Sequence, residues 1–193
     1  MAVLMGFAFF SALFFYFLSK SPIQNGSVTP TANATALYEQ ANVNSGLPVR
    51  LNIPKIDVDA AIEYVGLTSD GAMAVPTGPT DTAWFDLGPR PGDSGSAVIA
   101  GHEGWKDGIQ AVFDNLYKLQ KGDKIYVTDG QGIATAFVVR EMRTYGGDQD
   151  FSDVFRSSDG TAHLNLITCA GVWNKAQKSY SDRLVVFTDK ETE

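Results

Sequence analysis

The chain is short of the residue types from which reactive sites are made. Its 193 residues include one cysteine, Cys169, and two histidines, His102 and His163. A single cysteine excludes a disulfide within the chain and any thiolate metal cluster built from it. Positive charge is scarce as well: 15 Lys and Arg stand against 22 Asp and Glu, for a net charge of −7. That balance excludes nucleic acid as a partner, because phosphate backbones select a basic footprint. No internal repeat is present, and helical periodicity is confined to one short stretch, Gln110 to Leu119. A helical bundle is therefore excluded.

One long apolar run is present, at the N-terminus. Residues 2–18 carry no charge and are almost wholly apolar. As a helix they would reach ~26 Å, close to the ~30 Å hydrocarbon core of a bilayer. The nearest small-residue cleavage pattern, Ala32-Asn33-Ala34, lies well beyond the run, which favours an uncleaved signal anchor over residues 1–19. Lys20 follows the run and no basic residue precedes it, so the distribution of charge does not set its orientation. Residues 20–47 are rich in Ser, Thr, Asn, Ala, Gly and Pro and read as a flexible linker. A folded domain is expected over 48–189, with a short tail at 190–193.

Within that domain the pattern is β. Val49 to Ile53 alternates and stops at Pro54; Ala61 to Val65 and Ala72 to Val75 flank a Ser69-Asp70-Gly71 turn. Ser96 to Ala100 is a short apolar run, and Lys124 to Thr128 and Ile133 to Arg143 flank Asp129-Gly130, a strong hairpin signal. Ala162 to Cys169 and Arg183 to Thr188 complete the set. Seven or eight short strands punctuated by turns predict an all-β closed barrel or sandwich.

A lone thiol at the end of a strand is idle or a nucleophile, and a nucleophile needs an activating base or cation. Six residues of strand at ~3.3 Å each hold His163 ~20 Å from Cys169, beyond hydrogen-bond reach. His163 thus reads as a surface or strand-end histidine. His102 remains, leaving the strand Ser96 to Ala100 through Gly101 into the loop GHEGWKDG. A thiol attacking a carbonyl also needs a donor for the developing oxyanion. Of the six arginines, Arg183 begins the strand after Cys169, so antiparallel pairing would set it beside the thiol. Thr168 should point to the opposite face.

His102, Cys169 and Arg183, in that order, resemble the sortases. The segments LNIPKIDVDAAIEYVGLTSDGAMAVP, AWFDLGPRPGDSGSAVIAGHEGW, FDNLYKLQKGDKIYV, LNLITCAG and YSDRLVVFTD are similar to sortase segments and occur in sortase order. The cysteine motif departs in one place, with Asn165-Leu166 where the family's best-known form begins Thr-Leu. Short spacers and the GPRPG loop are more like the class D, E and F groups than class A or C.

The resemblance implies an eight-stranded β-barrel with short helices behind a membrane anchor, held at the cell membrane with the catalytic domain outside. It implies a cysteine transpeptidase acting on exported proteins that carry an LPXTG-type sorting signal. Cys169 would form a thioacyl intermediate, and His102 would protonate the leaving amine and deprotonate the incoming one. Arg183 would bind the oxyanion or the substrate backbone. The acceptor would be an amine of a cell-wall precursor or a pilin. The segment Thr144 to Thr161 and the loop Ala170 to Asp182 with Trp173 would wall the groove. No cofactor or metal is implied, and Asp148, Asp150 and Asp153 read as solvated loop carboxylates. Two other readings stand beside this one: a different Cys/His enzyme, such as an L,D-transpeptidase or papain-like peptidase, and a non-enzymatic displayed β-domain with Cys169 as packing.

Overall fold

The structure is a computed structural model and describes residues 46–147, 149–176 and 179–192. The predicted anchor and most of the linker, with Asp148, lie outside the described residues. Among the described residues no helix is long and apolar enough to cross a membrane.

Eight strands form the domain: β1 Pro48–Ile53, β2 Val58–Val65, β3 Thr82–Phe85, β4 Gly95–Gly101, β5 Lys124–Asp129, β6 Ala134–Gly146, β7 Ala162–Asn174 and β8 Ser179–Lys190. They close into a barrel in the order β1-β2-β3-β4-β7-β8-β6-β5. The β2/β3 and β4/β7 pairs are parallel and the rest antiparallel. Closure removes the exposed edges that open sheets must otherwise protect. β8 runs through Lys190, and the Glu191 N–H donates to the Ala136 carbonyl at 2.9 Å, so the barrel extends past Asp189.

Two apolar clusters hold the barrel together. The interior one contains Leu51, Ile53, Trp84, Ala97, Ile99, Ile125, Val127, Phe137, Leu164, Leu166 and Val186. The other lies on the outer side of the same strands and joins Val98, Val185 and Phe187 to Val154 and Tyr145, with Phe85, Phe151, Phe155 and Ile167 packed against them. Strand alternation sends Ala97, Ile99 and Val186 inward and Val98, Val185 and Phe187 outward. The segment between β6 and β7 covers the outward set. The run Ser96 to Ala100 is accordingly buried on both faces and reads as continuous apolar sequence. Val154 is fully buried and contributes about 1.5–3 kcal/mol to holding this segment down.

Three predicted elements differ. Gln110 to Leu119 is not a helix beyond the single 3-10 turn Leu116–Lys118. Its N–H groups are taken by other partners: Val112 donates to the Pro79 carbonyl at 2.8 Å, Phe113 to the His102 carbonyl at 2.9 Å, and Ala111 to Asp114 at 3.0 Å. Ala72 to Val75 forms only one isolated bridge, Met73 to Leu67. The third difference is β3, four residues after a Pro- and Gly-rich stretch, too short to register as a strand in sequence. Its parallel pairing with β2 supplies what local pattern does not.

Gly101 ends β4 against the face of Phe113; a Cβ there would run into the Phe113 ring and into Val112. Both neighbours are packed, so Gly101→Ala is expected to destabilise the domain by ~1–3 kcal/mol and to displace the adjoining His102. Urea denaturation and turnover of the same variant check the two effects.

Candidate active site

The geometry of the site follows from two strand registers. β4 and β7 run parallel with Ala100 opposite Ile167, so the next positions are Gly101 with Thr168 and His102 with Cys169. Thr168 fixes this end of the pair: its buried hydroxyl donates to the Gly101 carbonyl at 2.8 Å. β7 and β8 run antiparallel with Cys169 directly opposite Arg183. A strand spacing of ~4.8 Å on either side brings His102 and Arg183 to flank the thiol. All three side chains line one cleft of about 470 Å³. Apolar residues dominate its walls, among them Met73, Val75, Phe85, Phe151, Phe155 and Ile167.

His102 is held on several sides. Its backbone carbonyl accepts from Phe113, and its ring lies edge-on to Trp105 with centroids 4.7 Å apart. The ring Nε2 lies 2.9 Å from the Pro76 carbonyl, which can only accept, so Nε2 carries a hydrogen. In the neutral ring this leaves the lone pair on Nδ1, the nitrogen free to take up a proton. Arg183 is fixed through Nη1, which donates to the carbonyls of Asp182 at 2.8 Å and Tyr180 at 3.3 Å. Just past Cys169 the register shifts between Ala170 and Trp173, and Gly171 has φ of +81°. This bulge bends β7 beside the thiol, a placement common next to active sites.

Burial pushes the Cys169 thiol up, the Arg183 charge pulls it down, and Glu103 adds to the rise. Half-burial wins, so the resting sulfur favours the thiol. Glu103 is itself raised, by burial and then by Asp114. The Asp114 carboxylate folds this loop by accepting from the Gly104 N–H at 2.6 Å and the Ala111 N–H.

This brings together the three residues singled out in sequence. It also adds Glu103, Thr168 and the Pro76 carbonyl. Glu103 adjoins His102 in sequence, but nothing in the sequence shows its charge reaching Cys169. The Pro76 carbonyl is a backbone group and leaves no sequence signal at all.

The sortase domain family model matches residues 51–191. The chain belongs to the sortase family. Sortases are cysteine transpeptidases, and the lone thiol of this one sits in the cleft. Sortase C1 of Streptococcus agalactiae, solved in complex with MTSET, is 24% identical with a TM-score of 0.58, over 75% of this chain and 67% of that one. Sortase A from Corynebacterium diphtheriae is 21% identical with a TM-score of 0.60, over 86% and 72%. Sortase C of Streptococcus pneumoniae is 22% identical with a TM-score of 0.58, over 76% and 67%. At these identities the likeness is one of fold, and this chain spans about two thirds of the length of the streptococcal structures. Comparison with curated proteins gave no match.

Other sequence expectations are corrected by the sortase structure. His163 stands at the start of β7, as the strand-end reading expects, but it is not at the surface: it is 5% exposed and its ring lies between two carboxylates. The stretch between Cys169 and Arg183 is not a long loop. β7 continues to Asn174 and β8 starts at Ser179, and Trp173 packs edge-on against Tyr180 across the hairpin. Asp153 is more than a solvated carboxylate, since it accepts from Tyr145 at 2.9 Å and from Arg143 at 3.2 Å.

Two outcomes follow from the electrostatics and the register. Glu103→Gln removes a negative charge that disfavours the thiolate, so alkylation of Cys169 by iodoacetamide should begin at lower pH, whereas Arg183→Met should delay it to higher pH. Thr168→Val keeps the volume but loses the bond to Gly101, at about 1 kcal/mol of stability; it should lower kcat more than it raises KM.

Proposed function

We propose that this sortase is held at the cell membrane by its N-terminal apolar run, with the barrel outside. In this reading it cleaves an LPXTG-like sorting signal and passes the exported protein to an amine. Its short spacers and GPRPG loop support a place near the class D, E and F groups. The observation that carries the reading is the convergence of His102, Cys169 and Arg183 at one end of a cleft with an apolar floor.

The steps balance as two acyl transfers. Cys169 Sγ attacks the carbonyl of the residue before the scissile bond, and its proton passes to His102. Arg183 faces the oxygen that becomes negative, where a fixed cation lowers the barrier most. The C–N bond breaks as His102 returns the proton to the leaving amine, and a thioester remains on Cys169. The acceptor amine then loses a proton to His102 as it attacks, and the thiol leaves with that proton. One histidine serves as acid and then base because the imidazole takes up a proton in one half-reaction and can give it back in the next. Because the thiol is favoured at rest, transfer to His102 accompanies attack. The Pro76 carbonyl keeps a hydrogen on Nε2 throughout, which directs proton traffic to Nδ1.

The test is incubation of the full chain with an LPXTG-type peptide and a glycine nucleophile, followed by mass spectrometry. An acyl adduct on Cys169 and an amine-exchanged product are expected. An adduct that only hydrolyses favours a peptidase, and an inert Cys169 across a broad peptide panel overturns the reading. Cys169→Ala should abolish turnover with the fold intact, and His102→Ala should lower it by at least about a hundredfold.

A further inference from the structure

Charge is sorted by sign about the thiol. Beside Cys169 itself, the titrating side chains on the wall of the cleft are His102, Arg156 and Arg183, and among the described residues no carboxylate lines it. Carboxylates stand instead at the loop that follows β4. Glu103 and Asp114 are there, and neither lines the cleft.

Backbone geometry puts Glu103 beside the sulfur. His102 is level with Cys169 on the neighbouring strand, ~4.8 Å across. Gly104 packs against β8, where a Cβ would lie 2.9 Å from the Tyr180 hydroxyl. Glu103 is the residue between these two contacts, so it bridges the thiol and Tyr180. Asp114 fixes the bend by accepting from the N–H groups of Gly104 at 2.6 Å and Ala111 at 3.0 Å. The negative charge of Glu103 is felt at both Cys169 and Tyr180.

Asp114 is satisfied by those backbone donors, and Glu103 is not. Its side chain is half-buried and makes no hydrogen bond or ion pair among the described residues. The cation nearest in sequence, Lys106, is exposed and forms no ion pair there. Arg183 commits Nη1 to the carbonyls of Asp182 and Tyr180. A half-buried carboxylate with a second carboxylate nearby and no cation of its own favours a cation from outside the chain. Aromatic rings stand on this side as well, Trp105 edge-on to His102 and Trp173 edge-on to Tyr180, and such surroundings suit an ammonium.

The second acyl transfer brings such a group. The acyl half of the substrate stays in the cleft on Cys169, so the acceptor amine approaches from another side. In solution it is an ammonium, and it gives one proton to solvent. The neutral nitrogen then attacks the thioester carbonyl and carries positive charge until His102 takes a second proton. The C–S bond breaks, and that second proton ends on the sulfur of Cys169.

We propose that Glu103 determines acceptor specificity: its carboxylate draws the amine to the side of the thiol away from the cleft and stabilises the charge on the attacking nitrogen. This rests on the sortase reading of Cys169. The acceptor class that fits is a primary amine with no carboxylate close to its nitrogen.

The test uses the full chain with Glu103→Gln and Glu103→Asp, an LPXTG-type peptide, and glycinamide or glycine as acceptor. The two acceptors differ by one carboxylate beside the amine. The ratio of amine-exchanged to hydrolysed peptide is measured, since both products leave one thioester and the ratio ignores the rate of acylation. In E103Q the glycinamide ratio should fall about fivefold, and the preference for glycinamide over glycine should shrink by a similar factor. E103D should keep most of both. An unchanged ratio in E103Q, or a loss shared equally by the two acceptors, overturns the proposal. A second measurement needs no peptide. MTSET carries a fixed positive charge and methyl methanethiosulfonate carries none, and both react with the Cys169 thiolate, so their rate ratio cancels the thiolate fraction. That ratio should fall about fivefold in E103Q, and by less at high salt. An unchanged ratio overturns the proposal whatever the peptides do. If the ratio falls and no peptide acylates Cys169, the charge selection by Glu103 is upheld and it is the sortase substrate reading that fails.

Discussion

The parallel pairing of β4 with β7 is the constraint on which the rest of this molecule depends. Parallel strands cannot be joined by a tight turn, so the chain must travel a long way between them. Here that path builds β5 and β6 and then the segment that folds back over the outer face. The pairing brings residues 67 positions apart to the same level, Gly101 beside Thr168, and one buried hydroxyl bond pins them there. The next residue on each strand is His102 on one side and Cys169 on the other. The antiparallel β7/β8 hairpin then sets Arg183 against the thiol. Three chemical groups thus meet, His102 one residue past the end of β4, Cys169 on β7 and Arg183 on β8. Groups fixed in this way avoid the entropic cost of assembling for each turnover.

The outer apolar cluster couples this rigid frame to a more adjustable wall. Val98, Val185 and Phe187 face outward from the same strands that carry the site, and Val154 fills the space over them. The aromatic residues that pack there, Phe85, Phe151 and Phe155, continue into the cleft. Stability and recognition therefore share one surface. The foot of the covering segment is fastened by polar contacts instead: the Ser94 hydroxyl donates to the Gly160 carbonyl at 3.0 Å, the Gly95 N–H to the Thr161 carbonyl at 2.8 Å, and His163 lies against Asp159.

Charge is deployed sparingly around the thiol. Burial works against ionising Cys169, Arg183 works for it, and Glu103 works against it. The net direction favours the protonated sulfur at rest. In the proposed reaction, activation is tied to the moment when a substrate carbonyl and His102 are both in place. The Pro76 carbonyl fixes which ring nitrogen of His102 bears the hydrogen, the part that a carboxylate plays in Ser-His-Asp triads.

Much of this was legible in the sequence, because β structure writes its inward face as a two-residue alternation and its turns as Gly, Asp and Asn. Scarcity sharpened the site: with one cysteine and two histidines, strand length alone separated His102 from His163. Local pattern failed where partners were distant. Gln110 to Leu119 has an apolar rhythm, yet its N–H groups are claimed by Pro79, His102 and Asp114, so no helix forms. β3 is too short to announce itself and exists because β2 pairs with it. The burial of His163 depends on two carboxylates from separate parts of the chain, and no local window contains them. By itself the sequence determined which residues could do chemistry and which strands carry them, since composition and alternation are properties of neighbours along the chain. Only the tertiary structure decided the register of β4 on β7, the carbonyl that orients His102 and the meeting of His163 with Asp189, because each is a contact between residues that sequence order holds apart.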